Sequence, residues 1–266
     1  MARLAFTLAI VVSLSVTALF AEAREPSVSR AGAAADLLEA ESQGLVSVKY
    51  IPNDSRSAQI IVTNVSRKPV TLRLPTAFAG VPVLAQMGGM GGMGGGGGGA
   101  GFGGGGIGGG AQTTGGGGMG QQGMNGMGGG MGGGGAFSIP PQKTRVLRVT
   151  TVCLEHGKPE PSPRYPYKIA AIDSFSSDPK LSLVLEGLGR GELSQKVAQA
   201  AAWNLSSGLS WERLAAEKID HAGGVPDEAY FTPAELHAAQ QVVAVATRRV
   251  NAAGAAVSAG ASAAGN

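Results

Sequence analysis

Arg145-Val-Leu-Arg-Val-Thr-Thr-Val-Cys153 places Leu147, Val149, Thr151 and Cys153 on one face, with Arg148 and Thr150 between them. That two-residue period predicts a β-strand with one buried side. Similar runs lie upstream. Leu45 to Ile51 sets Val46, Val48 and Tyr50 on one face, and Ala58 to Thr63 is rich in β-branched residues. Val70 to Leu74 alternates with Val70, Leu72 and Leu74 inward, and Val81 to Gln86 carries a proline suited to an edge strand. Pro-Asn-Asp-Ser and Asn-Val-Ser-Arg-Lys-Pro between the runs are turn chemistry. Short alternating strands at regular spacing predict an antiparallel β-sandwich, its first half at 44–86 and its second at 136–175.

Residues 87–135 interrupt the pattern and hold most of the chain's 45 glycines. Composition alone predicts a disordered loop inserted between two strands of one sandwich, because ordering glycine is costly and little apolar surface offsets it. Replacing 88–135 with a short linker is then expected to leave stability nearly unchanged.

After the strands, residues 176–251 read as a helical part, making the class α+β. Asp178-Pro179 is an N-cap and first helical residue before Leu181, Val184, Leu185 and Leu188. Ser194 opens an Ala-rich helix, Ser210 caps a short one, and Thr232-Pro-Ala-Glu235 is a capping box. The Ala/Gly/Ser tail at 252–266 is expected to be unstructured, and residues 24–43 to hold a short helix from Ala33 to Glu41, ended by Gly44.

Residues 1–23 have a basic start, a long apolar run and Ala21-Glu22-Ala23, which predicts a cleaved export signal. An exported (periplasmic, cell-surface or secreted) mature chain without a membrane span follows. The formal net charge of +3 is spread among acids, with no stripe of Lys and Arg interleaved with aromatics, so no nucleic-acid surface is read.

The chain has one cysteine, Cys153, which excludes an internal disulfide. Glu155 and His156 follow it closely, as the parts of a cysteine nucleophile would, yet an extended strand points Cys153 and His156 to opposite faces. Met87, Met90 and Met93, with Met124, Met127 and Met131, offer thioether clusters of the kind that suit Cu(I). Neutral drift of a Gly/Met/Gln spacer is the simpler account of them. Gln199 lies four residues before Trp203, hence on the same helical face, and a carboxamide carried inward with Trp203 needs a partner.

Val152-Cys-Leu-Glu, followed downstream by Gln199-Ala-Ala-Ala-Trp203, resembles the thioester domains of bacterial surface adhesins. The resemblance covers about Val152 to Trp211. Cys153, Gln199, Ala201 and Trp203 match that family's cysteine, glutamine, alanine and tryptophan. Val152, Ala198 and Ala202 depart from its usual residues. The whole chain is also similar to uncharacterised exported bacterial proteins with a Gly-rich insert. The resemblance implies an internal thioester between the Cys153 sulfur and the Gln199 carbonyl, with His156, Glu155 and Trp203 in support. The expected function is a non-enzymatic binding or adhesion module that captures amines on an extracellular or cell-surface target and needs no cofactor. The alternatives are a non-catalytic exported scaffold and a Met-rich copper-handling protein.

Overall fold

The computed structural model describes residues 34–83, 111–118, 135–219, 221 and 226–263. The export signal expected at 1–23, the methionine clusters and the last residues of the tail lie outside the described residues. The chain runs β1 (Ala35–Asp36), α1 (Leu37–Ser42), β2 (Val46–Pro52), β3 (Ser57–Asn64), β4 (Val70–Arg73), β5 (Phe78–Pro82), β6 (Thr114–Gly116), β7 (Ala136–Ile139), β8 (Thr144–Cys153) and β9 (Tyr167–Ala171). Then follow α2 (Pro179–Gly189), α3 (Gln195–Ser206), α4 (Trp211–Ala215), β10 (Lys218–Ile219), β11 (Glu228–Ala229) and α5 (Pro233–Ala263).

The protein is α+β, but its main sheet is a closed barrel in the order β2-β3-β8-β6-β5-β9, not the expected sandwich. All the pairings around it are antiparallel. A separate three-stranded sheet, β1-β4-β7, is joined to the barrel by Asn64, whose buried Nδ2 donates to Lys68 O at 2.8 Å and Ile139 O at 2.9 Å.

What closes the barrel is the glycine tract itself. Residues 111–118 run between β5 and β8, with Thr114 opposite Gly80 on one side and Cys153 on the other. The expectation of a wholly disordered tract fails here, because glycine permits close approach as well as disorder. A Cβ on Gly117 would lie 2.2 Å from Leu185 O, and one on Gly189 of α2 would lie 2.4 Å from Gly117 C. The same strand corrects the edge expectation for the described part of Val81–Gln86, residues 84–86 lying outside the described residues. β5 starts at Phe78 and has a neighbour on each side, β6 and β9, with Pro82 at its end.

Two cores result. Inside the barrel, Tyr50, Ile60, Phe78 and Tyr167 pack together, Tyr50 meeting Phe78 edge-on at 6.1 Å. Outside it, Val152 of β8 and Leu154 just after it share a core with Leu181 and Leu185 of α2, Trp203 of α3 and Leu236 of α5. Each fully buried Leu contributes about 1.5–3 kcal/mol.

The helix signals after residue 176 hold, but the first helix begins at Leu37 and not at Ala33, because Asp36 caps it and Ala35–Asp36 pair with β4. Asp178 Oδ1 accepts from Lys180 N–H at 2.9 Å, and Ser194 and Ser210 cap α3 and α4 through Val197 and Arg213. Thr232 and Glu235 close a reciprocal capping box at 2.8 and 3.2 Å. α1 stops at Gly44, whose φ of +69° suits glycine. The tail departs from expectation: α5 continues to Ala263, since alanine favours helix and no proline intervenes.

Candidate functional site

β8 outlasts its neighbour β3. Their ladder ends at Ser57 opposite Thr150, and Thr151 N–H makes one more bond, to Arg56 O at 2.8 Å. Beyond that point the main-chain groups of β8 need other partners. Side chains of α3 supply them. Gln195 Nε2 donates to Thr151 O at 3.2 Å, and Ser206 Oγ to Leu154 O at 2.7 Å. Between these, Cys153 N–H donates to Gln199 Oε1 and Gln199 Nε2 donates to Cys153 O, both at 2.8 Å. Helix α3 thus stands in for a missing strand, with the Gln199 amide matching one peptide unit. Gln199 is 0% exposed, so the pair is dry.

The structure therefore brings together Cys153 and Gln199, 46 residues apart in sequence. Cys153 shares its barrel face with Thr114, the residue opposite it, whose Oγ1 is hydrogen-bonded to Tyr50 Oη at 2.6 Å. The thiol lies 4.0 Å from Ser55 O in the β2–β3 turn. Burial, with the carboxylates of Glu160 and Asp54 adding to it, pushes the thiol from 9.0 up to about 12. Burial likewise pushes Tyr230 up to about 12.

Trp203 faces inward as expected and is the hub of an aromatic cluster. The His156 ring meets it edge-on at 4.7 Å, Tyr230 lies at 5.4 Å and Phe231 at 5.9 Å. Lys196 Nζ sits 3.3 Å from the Tyr230 ring centroid and donates to Tyr230 O at 3.0 Å. Burial depresses the Lys196 ammonium below the usual lysine range.

Glu155 and His156 are engaged elsewhere. Burial raises the Glu155 carboxyl, but the bonds from Lys158 and Thr113 outweigh it and hold the group below the usual range. His156 Nε2 lies 3.3 Å from Glu217 Oε2, and its N–H donates to Ser207 Oγ at 3.1 Å. Among the described residues neither side chain hydrogen-bonds the thiol. Both instead fix the chain that follows Cys153: Thr113 N–H donates to Glu155 Oε2 at 2.9 Å, and His156 braces Trp203.

Sequence reasoning missed Gln195, Ser206, Glu217 and Tyr230. Gln195 had a usable signal, four residues before Gln199 on the same helical face. Among the described residues no three His, Cys, Asp or Glu side chains gather as a metal site.

The raised thiol makes a pH prediction for the free-thiol form. Its folded value lies above its unfolded one, so its stabilising contribution is complete below about pH 9 and is lost as pH rises towards about 12. Tyr230 acts in the same sense, starting near pH 10. Urea midpoints measured at pH 8 and pH 10.5 should fall, and Cys153→Ala should flatten the slope. An unchanged slope in Cys153→Ala would mean that the thiol ionises freely.

No protein-family model, curated protein or solved structure matches this chain.

Proposed function

We propose that the protein is an exported binding module that captures primary amines covalently, without turnover, through a thioester between Cys153 Sγ and Gln199 Cδ. One observation carries this reading: the Gln199 carboxamide is held in a water-free contact with Cys153 itself. The motif pairs the same two residues across 46 positions of sequence.

The chemistry fits the groups present. Cys153 Sγ attacks Gln199 Cδ, the C–N bond breaks, and the thiol proton leaves with the amide nitrogen as ammonia. Cys153 N–H, already on Oε1, stabilises negative charge developing on that oxygen. With ammonia gone, Cys153 O loses its Nε2 donor. An incoming amine attacks the same carbon, the C–S bond breaks, and the proton returns to sulfur. The new amide again carries an N–H where Nε2 had been, so capture restores the donor to Cys153 O. Exclusion of water protects the acyl group from hydrolysis meanwhile. Trp203 and Leu154, buried beside the pair, contribute to that exclusion.

A second reading has an observation of its own. Both ends of the Gln199 amide are satisfied by the Cys153 main chain, and a thiol near 12 is ionised to an extent on the order of 10⁻⁵ at pH 7. On that reading the pair is a clamp within an exported scaffold. The copper-handling reading has no observation among the described residues.

Intact mass separates the two. The thioester form should weigh one ammonia less than its sequence. Methylamine should then add one methylamine and release a thiol that iodoacetamide alkylates after unfolding. Cys153→Ala and Gln199→Ala should each abolish the deficit. Full sequence mass with an alkylatable Cys153 before any amine treatment would establish the clamp.

A further inference from the structure

The seat of β6 makes a strict demand on its occupant. A Cβ at position 115 would lie 2.9 Å from both Leu154 and Leu185, and one at 116 would lie 2.6 Å from the Phe78 ring. At 117 and 118 it would lie 2.2 Å from carbonyl oxygens, those of Leu185 and Pro75. Just before these glycines the seat selects polar residues. Thr114 Oγ1 meets Tyr50 Oη at 2.6 Å. Gln112 Nε2 donates to Lys158 O at 2.9 Å, while the main-chain O of Gln112 accepts from the Tyr167 hydroxyl at 2.7 Å, a bond open to any residue there. Main-chain pairing on both edges, to β5 and β8, supplies the binding, and the side-chain demands supply the selectivity. The matching peptide is Gln112-Thr-Thr-Gly-Gly-Gly-Gly118.

Nothing in these contacts requires that strand to come from the same chain. It connects to β5 only through 84–110 and to β7 only through 119–135. In a concentrated or refolding population the segment of a second copy competes with the chain's own for that seat. An arbitrary peptide is rejected by backbone at positions 117 and 118 and crowded by side chains at 115 and 116, whereas a second copy carries the matching sequence.

We propose that the cleft between β5 and β8 is a strand-binding site for this chain's own glycine segment, and that copies join by reciprocal exchange of residues 111–118. The exchange needs no separate dimer face, because every contact is one the monomer already makes. It is independent of the Cys153–Gln199 chemistry.

The probe is a synthetic peptide of residues 110–119, and the host is the full chain carrying Gly116→Val and Gly117→Val, which cannot seat its own strand. The peptide should bind the host saturably and restore its near-UV circular dichroism. A peptide with alanine at positions 116 and 117 should not, and the wild-type chain, its seat filled, should bind at least 100-fold more weakly. If the host is unfolded alone, the titration is run as a refolding experiment with the same readout. Wild-type chain refolded at millimolar concentration should yield dimers by light scattering that revert to monomers only through unfolding. A peptide that leaves the host unchanged overturns the proposal, and so does wild-type chain that stays monomeric throughout.

Discussion

Gly117→Ala should cost at least about 3 kcal/mol, a large share of the roughly 5–15 kcal/mol that holds a domain of this size together. The added methyl would meet backbone on three sides: Leu185 O at 2.2 Å, and Gly189 Cα and Thr76 O both at 2.9 Å. Flexible side chains can swing away from such a contact, but a helix carbonyl and two neighbouring backbone segments must all shift together. The consequence spreads, because β6 is the strand that closes the barrel and also the floor under Leu185. Gly254→Ala is the control. Nothing lies within 4 Å of its Cβ, and it sits in the exposed part of α5. It should stabilise by about 1 kcal/mol or less, through helix propensity alone. Urea denaturation of the two variants beside wild type measures both. If Gly117→Ala matched Gly254→Ala within experimental error, the packing of β6 against α2 would be refuted. Removing 88–135 for a short linker should be worse still, the reverse of what composition predicts.

The contrast between those glycines explains which parts of the fold were legible. Helix starts were readable because a cap is local: Asp178, Ser194, Ser210 and the Thr232–Glu235 pair each act within three residues of themselves. The inward faces of β2 and β8 were readable because alternation is local too. Barrel closure was not, since it depends on whether Gly115 to Gly118 have a narrow slot to enter, and that slot is built by Leu185, Phe78 and Leu74 from elsewhere in the chain. The same composition signals disorder when no slot exists. At the site, the spacing of Gln199 and Trp203 correctly turned both inward, whereas the resemblance concerns the Cys153 sulfur and not the main-chain groups that the amide bonds. What the amide bonds there was hidden, because the need arises from the mismatch in length between β3 and β8.

In the free-thiol form, Gln199→Leu should be the most damaging single change at the site, at about 2–6 kcal/mol. It strands a buried N–H and a buried C=O of Cys153, each costing about 1–3 kcal/mol when left unpaired. Cys153→Ala keeps both hydrogen bonds and removes only a sulfur, so its cost should stay near 1 kcal/mol. Gln199→Glu tests the polarity of the contact. An ionised carboxylate can accept from Cys153 N–H but offers nothing to Cys153 O, and it is buried where charge is costly. Protonated, it can donate to that carbonyl. The folded-state value of the introduced carboxyl is therefore raised above the usual glutamate range of about 4.3, so its stability is full below that value and is lost as pH rises through the folded one. Urea midpoints for Gln199→Glu should accordingly climb as pH falls from 7 towards 4.5, and climb more than those of wild type. Near-equal losses for Gln199→Leu and Cys153→Ala would sink the clamp geometry. The stability series also complements the mass measurement: both substitutions abolish a thioester equally, whereas only Gln199→Leu opens the edge of β8.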